Sequence, residues 1–205
     1  MMADGHTRRK WDRAASRYDF MVAGGQERRW APAKRALFSA MGTGPILFVA
    51  LGTGLDIPRF PPDRDITAID ISPAMLERAA PRVAAYLGRL RTAVMDVQAL
   101  DFPDAHFDQV FTACTFCSVP DPVQGLRELF RVLRPGGTLG MFEHTGSRYF
   151  PFKHLLDAMT PLSRLVGPDL NRDTVSNVMR AGFDVFEVRP VFLDIVKTIR
   201  ARKPR

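Results

Sequence analysis

The residues that could do chemistry in this sequence are one glycine turn and two aspartates. The stretch FVALGTGLDIP (48–58) carries an apolar run, Ile46–Leu51, into a turn around Gly52 and Gly54. Glycine has no Cβ and accepts positive φ, so such a turn brings backbone N–H groups close to a nucleotide-like ligand. A dinucleotide fingerprint, G-x-G-x-x-G, needs a third small residue so that the next helix can sit on the strand. Counting from Gly52, that place holds Ile57 with Pro58 beside it, which provides poorly for a pyrophosphate. Asp70 ends the next apolar run, ITAID, where a carboxylate can accept hydrogen bonds from ribose hydroxyls. Asp96 ends the third, placed to bind an adenine exocyclic amine, with Val97 offering a neighbouring backbone N–H. Taken singly, a strand-end aspartate can equally cap a turn. In order on successive strands, the set fits an adenosine held by sugar and base edge, with no diphosphate to cradle. S-adenosylmethionine is such a ligand, and its protein mainly has to align an acceptor with the C–S bond.

Those residues need a sheet whose strand ends converge. Apolar, strand-like runs at 46–51, 66–70, 91–95, 107–112 and 137–143 alternate with helical patterns at 73–87, 123–133 and 172–181. The last helix is followed by two alternating runs broken at Arg189-Pro190. The expectation is a Rossmann-like, doubly wound α/β domain with a seven-stranded sheet, mostly parallel with one antiparallel strand, and helices on both faces. At 205 residues and 46% hydrophobic, the chain suits one such domain, over 41–205. Residues 1–40 differ: Trp11, Ala14, Ala15, Tyr18 and Val22 recur near helical spacing among Arg8, Arg9, Lys10, Arg13 and Arg17. A second such piece, with Trp30, Leu37 and Phe38, follows the Gly24-Gly25 break.

Charge and cysteine narrow the function classes. The net charge is +7, with +5 at each end and −3 over the body between them. Residues 1–35 carry nine Lys/Arg against four Asp/Glu, and 195–205 carry five Lys/Arg and no acid. Basic ends attract phosphate-bearing partners. A basic helix with tryptophan can lie in a membrane interface, and the alternative is an ordinary helix capping the core. No aromatics are interleaved as an RNA-stacking sheet face requires, so no nucleic-acid partner is expected. No apolar run reaches the length of a membrane span and no secretory signal is visible, so a cytoplasmic, peripherally membrane-associated monomer is expected. Cys114 and Cys117 form a C-x-x-C without a second pair. Buried small hydrophobes are the reading preferred over a redox or metal site, and no metal is expected.

VALGTG, AIDISPAMLERA, MDVQALDFPDAHFD, TFCSVPDP, LFRVLRPGG and FEH together resemble the successive signatures of a class I S-adenosylmethionine-dependent methyltransferase, over about 10–200. The resemblance implies cofactor contacts from Tyr18, Ala50, Gly52, Gly54, Asp70, Ile71, Met75, Asp96, Val97, Cys114 and Thr115, with S-adenosylhomocysteine as product. Two positions depart from the pattern. Phe48 stands where the family's turn has an acid that helps anchor the methionine end, and Ala50 stands where it has glycine. Tyr18 is then expected to take more of that load. WDRAASRYD, CSVPDP, the Glu143-His144 pair and NRDTV are similar, more narrowly, to the small bacterial phospholipid N-methyltransferases, which implies a phosphatidylethanolamine substrate and a basic N-terminal helix on an anionic membrane. The quinone C-methyltransferases and small thiol methyltransferases share much of the same pattern.

An ethanolamine amine would have a pKa near ~10, and freeing its lone pair at neutral pH costs roughly 4 kcal/mol. A base or a desolvating site is therefore required. His144, with Glu143, is the candidate base or orienter at a strand end, and the alternative is a histidine capping a turn. In the aromatic segment that follows, Arg148 could pair with a phosphodiester, while Tyr149 and Tyr18 could face a methylated ammonium. Asp169 and Asn171 could orient the head group, or Asn171 could only help start a helix.

Overall fold

The computed structural model describes residues 5–22, 26–166 and 169–205. The strands are β1 (Ile46–Val49), β2 (Asp65–Asp70), β3 (Arg89–Val94), β4 (Phe107–Ala113), β5 (Leu133–His144), β6 (Asp184–Phe192) and β7 (Val196–Arg202). They form one seven-stranded sheet in the order β3-β2-β1-β4-β5-β7-β6. β1 pairs in parallel with both β2 and β4, whereas β7 runs antiparallel to β5 and β6. The order therefore reverses at β1, and the crevice beyond the carboxyl ends of β1 and β4 is where an open sheet of this kind takes its ligand.

The helices are α1 (Gly5–Ala14), α2 (Tyr18–Val22), α3 (Gln26–Phe38), α4 (Pro73–Ala84), α5 (Pro122–Val132), α6 (Phe152–Val166) and α7 (Thr174–Arg180). α4 and α5 start in the same way. Ser72 and Asp121 each accept a backbone N–H three residues on, and a proline with preset φ follows each. α5 and α7 cover one face of the sheet, where Leu126, Leu129 and Val178 meet Val110, Met141 and Ile199. α3 and α4 cover the other, where Phe38 and Ala79 join Phe48, Ile66 and Phe142.

Two local features differ from the sequence expectation. β5 begins at Leu133 rather than at 137, because Gly136 (φ 78°) donates its N–H to Lys203 O at 2.9 Å and ties the RPGG segment to the end of β7. Gly54, expected to contact the cofactor, packs instead against α4. A Cβ there would lie 2.8 Å from Ile57 Cδ1 and 3.3 Å from Ala79 Cβ. Ile57 thus folds back beneath the turn as part of a short 3₁₀ segment, Ile57–Arg59, and no α-helix forms between β1 and β2.

The N-terminal helices dock on the two ends of α4. Asp12 accepts from Ser72 Oγ at 2.6 Å, and Asp19 pairs with Arg82 at 2.8 Å. The Gly24-Gly25 break lies outside the described residues.

Candidate functional site

The crevice at the β1/β4 reversal is a pocket with its floor on the strand ends and its roof on α1 and α2. Ala50, Gly52, Asp70, Ile71, Met75, Asp96 and Val97 line one side, and Cys114 and Thr115 line the other. Thr7, Trp11 and Tyr18 close it from above, with the Trp11 and Tyr18 rings edge to face at 6.2 Å.

Asp70 is 7% exposed and ties the two loops together. Its Oδ2 accepts from Gly52 N at 2.8 Å and its Oδ1 from Ser72 N at 2.9 Å. Burial pushes its carboxyl up, against the pull of those donors. Each oxygen keeps a lone pair for a ligand hydroxyl. Asp96 is oriented by Gln98, whose backbone N–H donates to Oδ1 at 2.9 Å and whose Nε2 lies 3.2 Å from both oxygens.

The donor set tests the ligand. Among the described residues that line the pocket there is no lysine, arginine or histidine to receive a phosphate. Two carboxylates, apolar walls and aromatic rings suit hydroxyls, an amine and a positively charged sulfur, so the residues present fit S-adenosylmethionine.

Comparison with known proteins agrees. Residues 47–141 match the family model described as "Methyltransferase domain". A ubiquinone/menaquinone biosynthesis C-methyltransferase of Geotalea daltonii is 38% identical over 154 residues, covering 71% of this chain and 66% of that protein. A demethylmenaquinone methyltransferase of Deinococcus radiodurans is 36% identical over 135 residues, covering 63% of this chain and 56% of that one. The chain thus spans just under two thirds of these relatives or less. Among solved structures, a possible histamine N-methyltransferase of Thermotoga maritima shares the fold with a TM-score of 0.70 at 17% identity, over 97% of this chain and 100% of that one. Residues 47–141 carry a methyltransferase domain.

In this methyltransferase domain both loops that frame the pocket leave their strands through a left-handed residue that is not glycine: Ala50 (φ 58°) and Cys114 (φ 54°). At Ala50 the family's glycine would avoid a cost of about 1–2 kcal/mol. Glycine also loses more entropy on folding, about 0.5–1 kcal/mol. Ala50→Gly is therefore expected to stabilise the fold by about 0.5–1 kcal/mol, raising Tm by roughly 2–3 °C in calorimetry. An unchanged or lower Tm would show that the alanine backbone is not strained. Phe48, at the family's acidic position, is 1% exposed and packs on Phe38 and Phe60, so it offers the cofactor nothing. Tyr18 does reach the pocket, and a Cβ at Gly52 would lie 3.9 Å from its Cε1.

The acceptor residues expected from the sequence do not gather here. Glu143 is fully buried beneath the pocket. Its Oε1 accepts from Thr112 Oγ1 (2.7 Å) and Thr115 N (3.2 Å), and its Oε2 from Phe116 N (3.1 Å). It shapes the turn after β4 and touches no ligand space. His144 is not among the lining residues. Its Nδ1 is buried without a hydrogen-bond partner among the described residues, and burial pushes its pKa down, which keeps it neutral. Strand alternation places it on the face shared with Phe142, under α3, rather than on that of Glu143.

Arg148 and Asn171 line a second cavity, with Lys153, Asp157, Asp173 and Lys197. Asp169 is buried against Arg172 at 2.8 Å, and Tyr149 stands 67% exposed in solvent. Cys114 and Cys117 are free thiols that burial pushes up, Cys117 to about 12, so both stay protonated. Only Cys114 lines the pocket.

Sequence reasoning missed Thr7, Trp11, Gln98 and the Ser118–Pro120 wall. Trp11 carried a signal, as the one large apolar residue in an otherwise basic helix. Gln98 carried none.

Proposed function

We propose that this protein transfers a methyl group from S-adenosylmethionine to a ring carbon of a reduced, quinone-type aromatic acceptor. The observation that carries this reading is the 38% identity to a ubiquinone/menaquinone biosynthesis C-methyltransferase over 154 residues. The demethylmenaquinone methyltransferase similarity points the same way. Phospholipid N-methylation is the weaker reading, because the residues expected to hold a phosphoethanolamine head group stand apart from the pocket. Arg148 and Asn171 belong to another cavity, Asp169 is ion-paired, and neither Glu143 nor His144 lines the cofactor space.

S-adenosylmethionine, when bound, supplies a methyl group made electrophilic by its charged sulfur. The acceptor must be nucleophilic at carbon, which the electron-rich dihydroxy form provides and the oxidised quinone does not. Bound in the pocket, the cofactor would supply the methyl group, its sulfur would keep the electron pair of the broken bond, and the ring would give up its proton in exchange for the methyl. The chain contributes alignment: Asp70 and Asp96 fix the nucleoside end, and Trp11 and Tyr18 shield the reacting end from water.

The test supplies purified protein and labelled cofactor with reduced demethylmenaquinone in one arm and phosphatidylethanolamine vesicles in the other. Label on a ring carbon of the quinone is the expected result. Label confined to phospholipid would overturn the reading and restore the amine acceptor.

A further inference from the structure

Apolar surface is left uncovered in one place above all. α6 turns Leu156 and Thr160 into the protein, yet Leu155 (54% exposed), Met159 (47%) and Leu162 (69%) recur at helical spacing in solvent. The stripe continues past the start of the helix into Tyr149 and Phe150, the latter 83% exposed. A contiguous exposed patch of this kind marks an interaction surface rather than ordinary surface composition.

We propose that α6 and the Tyr149–Phe150 turn dock the protein on an anionic lipid bilayer, with the arginines of α1 reaching the head groups. α6 lies in the interface and does not cross it, and no described helix is long and apolar enough to span a membrane. Its acidic residue, Asp157, is tied to Lys153 at 3.1 Å and to Asn171 at 2.9 Å, so the outer face presents no free carboxylate to the lipid. Tyr149 is amphipathic, as interfacial aromatics are.

Positive charge stands beside the stripe. Thr7 and Trp11 of α1 line the pocket together with Ser118–Pro120, and the adjoining Cys117 O accepts from Asp169 N just after α6, so α1 lies near that end of α6, with Arg9 and Arg13 exposed. A second copy of this chain fits the patch less well, because each copy brings a net +7 and the same arginines. Trp11, which the sequence offered as a membrane anchor, is turned into the pocket instead.

The place of the surface matters. Asp169 donates its N–H to Cys117 O at 2.8 Å, so the chain after α6 is bonded next to the Ser118–Pro120 wall of the pocket. An acceptor dissolved in the bilayer would meet the pocket from its side. The docking itself does not depend on which acceptor is used.

The experiment is vesicle sedimentation of the full chain, with phosphatidylcholine vesicles alone or mixed with phosphatidylglycerol. Binding is expected only to the mixed vesicles, and it should weaken as salt rises to roughly 0.5 M, where charges are screened within a few Å. The Leu155→Glu/Leu162→Glu variant should lose about tenfold or more in vesicle binding while S-adenosylhomocysteine affinity by calorimetry stays unchanged. A Leu155→Ser/Leu162→Ser pair, which perturbs the helix less, should fall in the same direction. Variants that bind as the parent does would overturn the proposal. So would a dimer of the parent chain in light scattering that the same substitutions dissolve, since the surface would then belong to a second copy.

Discussion

Asp70→Ala is expected to lower the affinity for S-adenosylhomocysteine by roughly 30- to 100-fold while leaving the protein folded. The carboxylate bridges the turn after β1 and the turn after β2, at 2.8 Å from Gly52 N and 2.9 Å from Ser72 N. Hydrogen bonds to a charged group contribute about 1.5–3 kcal/mol each. The variant loses the ribose acceptor and also releases the loop that must present its N–H groups to the ligand. A combined loss of about 2–3 kcal/mol converts to that range at 1.4 kcal/mol per tenfold. Asp70→Asn keeps one acceptor oxygen but turns an NH2 toward a backbone N–H, so it should lose less than alanine does.

A pH dependence accompanies this. Burial raises the Asp70 carboxyl above its ordinary value, so cofactor affinity should fall on acidification sooner than an exposed aspartate would allow. Asp70→Asn should lack that fall. Calorimetric affinities within twofold of the parent for Asp70→Ala would mean that the sugar is held elsewhere.

What the sequence disclosed and what it hid follow one physical division. Strand ends are legible because a buried parallel strand is a continuous apolar run. Asp70, closing such a run in an open sheet, faces the crevice by topology, and it lines the pocket with Asp96, which follows the more polar β3. The turn was legible as well, but the roles inside it were not. Gly52 and Gly54 look alike in sequence, and only the positions of Ile57 and Ala79 reveal that Gly54 is there for packing. Glu143-His144 misled for a related reason. Adjacent residues on a strand point to opposite faces. Glu143 points to the side of Thr112 and the turn after β4, His144 to the side of Phe142, and neither reaches the pocket.

The roof was the least legible part. A basic helix with one tryptophan has the same pattern whether its apolar side meets lipid or protein. The choice is made by Asp12 finding Ser72 and by Asp19 finding Arg82, contacts between residues far apart in the chain. The apolar stripe of α6 is equally ambiguous in sequence, where a lid over acyl chains and a core helix share one pattern.

The largest effect on stability is expected at Glu143. Alanine there would leave Thr115 N, Phe116 N and the Thr112 hydroxyl without their acceptor at a fully buried site. At about 1–3 kcal/mol for each stranded donor, the expected loss is about 3–5 kcal/mol. That lowers Tm by roughly 10–15 °C at the 2–4 °C per kcal/mol typical of a chain this size. Glu143→Gln should cost less. Its amide NH2 can donate to the Thr112 oxygen while its carbonyl accepts from Phe116 N, stranding Thr115 N alone.

The two variants also separate charge from shape. Burial outweighs the three donors and pushes the Glu143 carboxyl up to about 7. In the unfolded chain a glutamate titrates near ~4.3. Between those values the folded protein holds the proton that the unfolded chain has released, so stability falls as pH rises through this window and is level above it. Chemical denaturation at successive pH values should show the parent's stability advantage over Glu143→Gln shrinking from about pH 4.3 to 7, by on the order of 3 kcal/mol. A constant gap would mean that the carboxylate is already ionised at the acid end, held there by the same N–H donors that shape the turn. In either protonation state Glu143 acts on methyl transfer only through the Cys114–Phe116 backbone, so its loss should weaken cofactor binding together with stability rather than slow the transfer step alone.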